Sequence, residues 1–409
     1  MNTTLAGGWR TAVVLTAAIS IAFLEIVAGL AAALRNTDPE IALRFFPIDA
    51  RARGNLAANL LENRPPALAQ AYPLLQASLT RDLAYPPSMR ALAYTIAAKG
   101  SVEQARHLFA TAAPLLRRDL PSQLWLIEDR VGANDISGAL HHYDLALSTS
   151  QFAPPILFPV LRRAAENPDL TVPLSRLLAP STGWKLDFLK YLIASSAPDR
   201  ETTRLIDGLY RAGGHPPYEI PASLIWRLGQ ARRLDQAALV YRRVQPEESG
   251  GNLLRNGTFS RPDIYPPLVW MESQDGAFNV RQQPNGPDQG NSLFFSPNNG
   301  ATGTMLAQSI ALQPGHYLLS GKAGGTVTAI YWSLSCLDSD QHPVDHFYLP
   351  SRPQAGTQRY TVPFEIPGKN CAIQSLTLNV ERRPLGVLED GWVDDVRLVS
   401  MDRSSGVRR

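Results

Sequence analysis

The stretch NLLRNGTFSRPD, Asn252–Asp263, separates two physical regimes of the chain. Upstream, between Asp38 and Glu247, there are 9 glycines; from Glu248 to Arg409 there are 17, and only 8 alanines follow Ser249. Alanine favours helix because it loses no side-chain entropy there, whereas clustered glycine marks turns between strands. The composition therefore predicts a multidomain protein, α then β. It places the change from helices to strands at this stretch, just after EESGG. A chain of 409 residues has room for two or three cores, since a domain takes about 100–200 residues.

Downstream of Asn252 the hydrophobic period is two. In TAIYWSLSC, Thr328–Cys336, residues Ile330, Trp332, Leu334 and Cys336 alternate with Tyr331, Ser333 and Ser335. In RYTVPFEIP, Arg359–Pro367, the core set is Tyr360, Val362, Phe364 and Ile366, and Pro363 directs the strand to an edge or a bulge. AIQSLTLNV, Ala372–Val380, sets Leu376, Leu378 and Val380 against Ser375, Thr377 and Asn379. QSIALQPGHYLLSG, Gln308–Gly321, is read as a hairpin turning at Pro314 and Gly315, and GWVDDVRLV, Gly391–Val399, alternates Trp392, Asp394, Val396 and Leu398 against Val393, Asp395, Arg397 and Val399. Many short strands without helical patterning imply a two-sheet antiparallel sandwich. Its two cysteines, Cys336 and Cys371, show no CxxC spacing and suggest one disulfide, inert core thiols being the alternative.

Upstream, the same pattern of side chains recurs every 34 residues: Ala71, Leu75, Ser78; Ala105, Phe109, Ala112; Ala139, Tyr143, Ala146. A small residue, a large apolar one four later and a small one three beyond that form one helix face, small where a neighbour approaches. In the second unit Leu92, Ala93 and Ile96 precede a turn at Gly100. The pattern lapses at Pro173 and Pro180 and partly returns at Ala237, Tyr241 and Val244. His141 and His142 are adjacent on a helix and point apart, which suits a repeat position better than a metal clamp.

Thr11–Leu34 contains a single charge, Glu25, and at about 1.5 Å per residue spans a hydrocarbon core of about 30 Å. An uncleaved anchor is favoured over a signal peptide, whose apolar region and small-residue site are also present. Glu25 then needs protonation, a partner or proximity to an interface. Arg35, Arg44, Arg51 and Arg53 follow the span and only Arg10 precedes it, so the charge rule opposes export of the body. The cysteine pair favours export nonetheless.

A net charge of +3 without basic runs argues against nucleic-acid partners. No GxSxG, HExxH, phosphate-binding loop or dinucleotide fingerprint is present, and Asp394 and Asp395 fall on opposite strand faces, which disfavours paired-carboxylate catalysis. DSDQHPVDH, Asp338–His346, is read as a solvated loop.

The repeat in ALAYTIAAKGSVEQARHLFATAA, Ala91–Ala113, resembles the tetratricopeptide repeat, which implies an α-solenoid of helix-turn-helix units that binds protein partners. NLLRNGTF, a tryptophan soon after it (Trp270), the PGxYxLS turn and the closing DDVRL look like the galactose-binding-like jelly rolls, particularly the carbohydrate-binding modules of families four and nine, and the resemblance implies that NLLRNGTF is the first strand of a second domain joined to the first by EESGG. The expected division is 1–37 membrane anchor or signal, 38–247 solenoid, 248–251 linker, 252–401 sandwich and 402–409 disordered tail. Sugar recognition needs aromatic faces and planar polar groups, and alternation nominates Tyr331, Ser333, Arg359, Thr361, Ser375, Thr377 and Asn379, with Trp270 in a loop at the site or else stapling the first strands. The resemblance implies no cofactor beyond a structural calcium at Asp395 or Asp394. The expected function is non-catalytic: a single-pass inner-membrane protein with a periplasmic body, accessory to polysaccharide export or assembly, holding proteins by its helices and a glycan by its sandwich. A purely protein-binding envelope scaffold and a glycan-active enzyme are the alternatives.

Overall fold

The computed structural model describes residues 5–195, 200–245, 251–262, 264–274, 276–284, 290–337, 343–351, 356–382 and 390–401. The expected tail, residues 248–250 of the linker and Asp338–His342 lie outside the described residues. The described chain has α-helices followed by two antiparallel sheets, and it forms two compact units, Met1–Pro159 and Val160–Arg409.

In the first unit, α1 (Leu5–Leu34) includes the apolar stretch Ala12–Leu34, of mean hydropathy 2.3 and largely exposed, with Ala31 near its end buried against Ala42 and Ala52. It is long and apolar enough to cross a membrane, a test that a signal sequence near an N-terminus also passes. Glu25 lies within it with its side chain exposed. After α2 (Pro39–Phe45), the chain forms helix pairs: α3 (Ala50–Glu62) with α4 (Leu68–Leu79), α5 (Pro86–Ala98) with α6 (Val102–Leu116), and α7 (Leu120–Gly132) with α8 (Ile136–Thr149). Start signals are local: Asp38, Asp49, Asp119 and Asp135 cap the exposed N–H groups of α2, α3, α7 and α8.

All nine residues of the 34-residue pattern are buried, on α4, α6 and α8. The small positions are small for a reason. Ser78 donates to the Ala50 carbonyl at 2.6 Å and meets the Ser88 hydroxyl at 2.8 Å, and a Cβ on Gly54 would lie 2.0 Å from that same Ser88 oxygen. The large position fills the space between pairs, as Phe109 stacks on Trp125 with ring centres 4.4 Å apart. Arg106 forks onto Asp129 through two hydrogen bonds, 2.9 and 2.7 Å, tying α6 to α7.

The next helix, α9 (Pro154–Ala165), contains the boundary between the units. The second unit continues with α10 (Pro168–Leu178), α11 (Trp184–Ser195), α12 (Arg200–Arg211), α13 (Glu219–Gln230) and α14 (Leu234–Val244), then a sandwich. One sheet has the order β1 (Met271–Glu272), β4 (Gly303–Ile310), β9 (Gln374–Val380), β6 (Ile330–Cys336), β7 (Pro343–Tyr348). The other runs β2 (Phe278–Gln283), β3 (Ser292–Pro297), β10 (Asp390–Ser400), β5 (Gly315–Thr326), β8 (Gln358–Ile366). Their inner faces share one core in which Trp270 and Trp332 meet at 5.7 Å. Each buried indole N–H has an acceptor: the Asn256 carbonyl for Trp270 at 3.0 Å and the Tyr360 hydroxyl for Trp332 at 3.1 Å. Cys336, at the end of β6, is disulfide-bonded to Cys371.

Three expectations need correction. NLLRNGTF is not a strand: it runs irregularly beside β10, with Asn256 and Phe259 at positive φ, and is held there by Asn252, whose amide donates to the Val396 carbonyl and accepts from the Leu398 N–H. Pro314–Gly315 is not a hairpin turn, because β4 pairs with β9 and β5 with β8 and β10; the chain there crosses from one sheet to the other. In β10 the alternation breaks at a bulge between Asp394 and Arg397, where Asp395 has φ 52°, so Val393 joins Val396 and Leu398 in the core cluster shared by the sheets, while Trp392, although buried, lies outside that cluster.

The last helices pack onto the sandwich. A Cβ on Gly229 would lie 2.5 Å from the Pro267 ring, Tyr241 meets Tyr265 edge-on at 5.8 Å, and the Arg255 guanidinium covers the Tyr241 ring at 4.7 Å. For that reason the compact units divide at Pro159 instead of at the glycine pair.

Candidate functional site

Strand pairing assembles an outward-facing grid on the β1-β4-β9-β6-β7 sheet. One row runs Thr304, Asn379, Tyr331, Tyr348; the next runs Met271, Ala307, Thr377, Ser333, His346; Ser309, Ser375 and Ser335 form a third. Of the residues nominated by alternation, Tyr331, Ser333, Ser375, Thr377 and Asn379 thus come together on β6 and β9. Trp332, one step out of phase, is fully buried.

Tyr348 and His346 were missed, because Pro343–His346 falls in a strand and not in a solvated loop. The signal was there in DHFYLP, where Phe347 points inward between the two outward rings. Tyr331 and Tyr348 lie 5.4 Å apart, with His346 at 6.0 and 6.2 Å from them, a three-ring cluster at the β6–β7 margin. The Tyr348 hydroxyl donates to Glu381 at 2.5 Å, and this bond to a carboxylate holds the phenol's pKa above its ordinary value. Beside the rings is an ordered polar lattice: Thr304 donates to the Asn379 carbonyl oxygen at 2.7 Å, and the Asn379 amide donates to the Thr377 hydroxyl at 2.8 Å. Orientation of these groups is thereby fixed before any ligand arrives.

Three nominated residues do not join them. Arg359 and Thr361 are on β8, on the other sheet, where they pair with Lys322 and Ser320. Trp270 is 1% exposed and packs against Phe259 and Trp332, so it staples the first strands together and offers no face to a ligand. The pair considered for calcium, Asp394 and Asp395, lies at the β10 bulge. Arg397 donates to the Asp395 carboxylate at 2.7 Å and the Asp394 carboxylate accepts the Asp395 N–H at 2.6 Å. Arg397 thus pairs with Asp395, and among the described residues no group of three or more His, Cys, Asp or Glu side chains is placed to hold a metal. His142 is likewise engaged, its Nδ1 2.9 Å from the Gln123 side-chain oxygen.

No family model matches the chain, and no curated protein matches it. Solved structures resemble its C-terminal sheets. Carbohydrate-binding modules are among them: a CBM4 module at 18% identity, covering 36% of this chain and 99% of that one, and a family 16 module at 19%, covering 36% and 100%, each with a TM-score of 0.28. The tailspike protein 4 of bacteriophage CBA120 is 19% identical with a TM-score of 0.30, and the match spans 37% of this chain and 22% of that protein. Likenesses this distant carry no functional weight, which rests on the surface of the sheet itself.

Proposed function

We propose that the protein binds a glycan, without making or breaking bonds, on the outer face of the β1-β4-β9-β6-β7 sheet. The observation that carries this is the cluster of Tyr348 and His346, both exposed, and the partly buried Tyr331, beside the hydroxyls of Thr304 and Thr377 that the buried Asn379 amide orients. Ring faces take the apolar side of a sugar and planar polar groups take its hydroxyls. The helix pairs, with their tetratricopeptide-like spacing, serve in this reading as the surface for protein partners, and α1 as an inner-membrane anchor. A periplasmic body agrees with a disulfide, which persists in oxidising compartments. Together these features suit an accessory protein of polysaccharide export or assembly.

The test is affinity electrophoresis of the full chain in detergent through native gels containing different polysaccharides. Tyr331→Ala and Tyr348→Ala should each weaken retardation about tenfold, the equivalent of ~1.4 kcal/mol, with unfolding unchanged. Unaltered mobility of both variants in a gel that retards the parent protein would remove the sheet face from consideration.

A further inference from the structure

The sheet face does not end at its first strand. Met271, on β1, stands in the row of Ala307, Thr377, Ser333 and His346 and is 38% exposed; it also lines a groove of about 710 Å³ between β1 and α13. One wall of that groove is the Trp226 indole, 39% exposed although α13 otherwise turns its apolar side inward. Around it lie Glu272, Ser273, Gln274 and Gln282. Pro266 lines this groove and a second one on the other flank of the indole, which leaves Trp226 standing as a ridge between two hollows.

Two observations argue that the occupant is a carbohydrate. The lining sets the Trp226 indole, with Pro262, Pro266, Met271 and the edge of Trp270, beside two amides, a hydroxyl and a carboxylate, so an aromatic platform meets a polar side as at the β6–β7 margin, whereas a docked peptide helix would need an apolar stripe unbroken by those four polar groups. In addition, Glu272 is half-buried, its carboxyl pKa is raised by burial alone, and it has no ion-pair partner among the described residues. A carboxylate kept from water without a cation is an acceptor suited to sugar hydroxyls. The position of the ridge is fixed by the packing of Gly229 on Pro267 three residues further along α13.

We infer that the groove between α13 and β1, with Trp226 as its platform and Glu272 and Gln274 as its polar groups, is a second glycan subsite continuous with the sheet face. The ligand is then a long polysaccharide bound along its length, laid across the strands from Tyr331 and Tyr348 to Trp226. With neighbouring strands about 4.8 Å apart, β7 and β1 are separated by roughly 19 Å, so a trisaccharide engages one end only. Linking the two ends through one polymer raises affinity by effective concentration. This inference rests on the glycan reading of the sheet, and its test separates the two.

The full chain in detergent is run through native gels containing xylan, β-1,4-galactan, mixed-linkage β-glucan or alginate, and titrated with the trisaccharide of whichever polymer retards it. Trp226→Ala should weaken polymer binding about tenfold and leave the trisaccharide affinity unchanged, whereas Tyr348→Ala weakens both. Glu272→Gln and Gln274→Ala, which do not disturb the packing of α13, should shift polymer binding in the same direction as Trp226→Ala. Undiminished polymer binding by Trp226→Ala and by both polar variants overturns the second subsite and leaves the sheet reading standing. An equal loss of trisaccharide and polymer binding in Trp226→Ala overturns the two-ended arrangement. Retardation of the parent chain by none of the gels overturns both readings.

Discussion

His142 shows what burial does to a single titratable side chain. Its ring is half-buried on α8 beside Gln123, and burial, together with the charge of His141 and Arg130, pushes its pKa down to about 4. In the unfolded chain an imidazole titrates near ~6.5. Between those values the unfolded state binds a proton that the folded state refuses, so stability is full above about pH 6.5 and falls as the pH drops towards 4. His142→Gln, which keeps a polar partner for Gln123, should reduce the loss in thermal midpoint between pH 7 and pH 5, measured by circular dichroism at 222 nm. An identical loss in both proteins would show that other groups set the acid sensitivity. Tyr348 is perturbed in the opposite sense for a phenol, its proton retained by Glu381, so it stays a neutral ring at the face.

Individual elements show how far a strand can be read from its own residues. Alternation in TAIYWSLSC and AIQSLTLNV was enough to put Tyr331 and Ser333 outward with Thr377 and Asn379, because the face of a side chain is decided within its own strand. Partnership is not decided there. Arg359 and Thr361 alternate just as clearly, yet β8 pairs with β5, so they face away from the grid. Nor does GWVDDVRLV announce its bulge; the left-handed backbone at Asp395 reverses the parity of everything before it. The 34-residue repeat was legible for the opposite reason, since each helix pair is closed by neighbours in sequence. One non-local link was accessible from composition, the bond between Cys336 and Cys371, which closes a loop with a sequence separation of 35 residues. Chain-entropy arguments give such a loop about 3–4 kcal/mol of stabilisation. The double variant Cys336→Ser, Cys371→Ser should lose that amount in urea denaturation followed by tryptophan fluorescence, and a midpoint unmoved from the parent would mean that the packing of β6 and β9 alone holds these ends together.

For the molecule as a whole, two compact units predict separable unfolding. Phe109 is fully buried between Tyr94 and Trp125 in the first unit, and Phe109→Ala should cost about 3–5 kcal/mol. Calorimetry should show one transition moved to lower temperature and the other, belonging to Val160–Arg409, in place. A shift of both together would mean that the units unfold as one. The sequence located the change from helix to strand but not this division, since glycines at a junction say nothing about whether the helices before it pack on the strands after it. Here they do. Gly229 leaves no room for a Cβ against Pro267 and Tyr241 meets Tyr265 edge-on, so α13 and α14 share an interface with the sandwich. Any side chain added at Gly229 must therefore part helix from sandwich before it can be housed, which makes that one missing methyl the fit on which the seam depends.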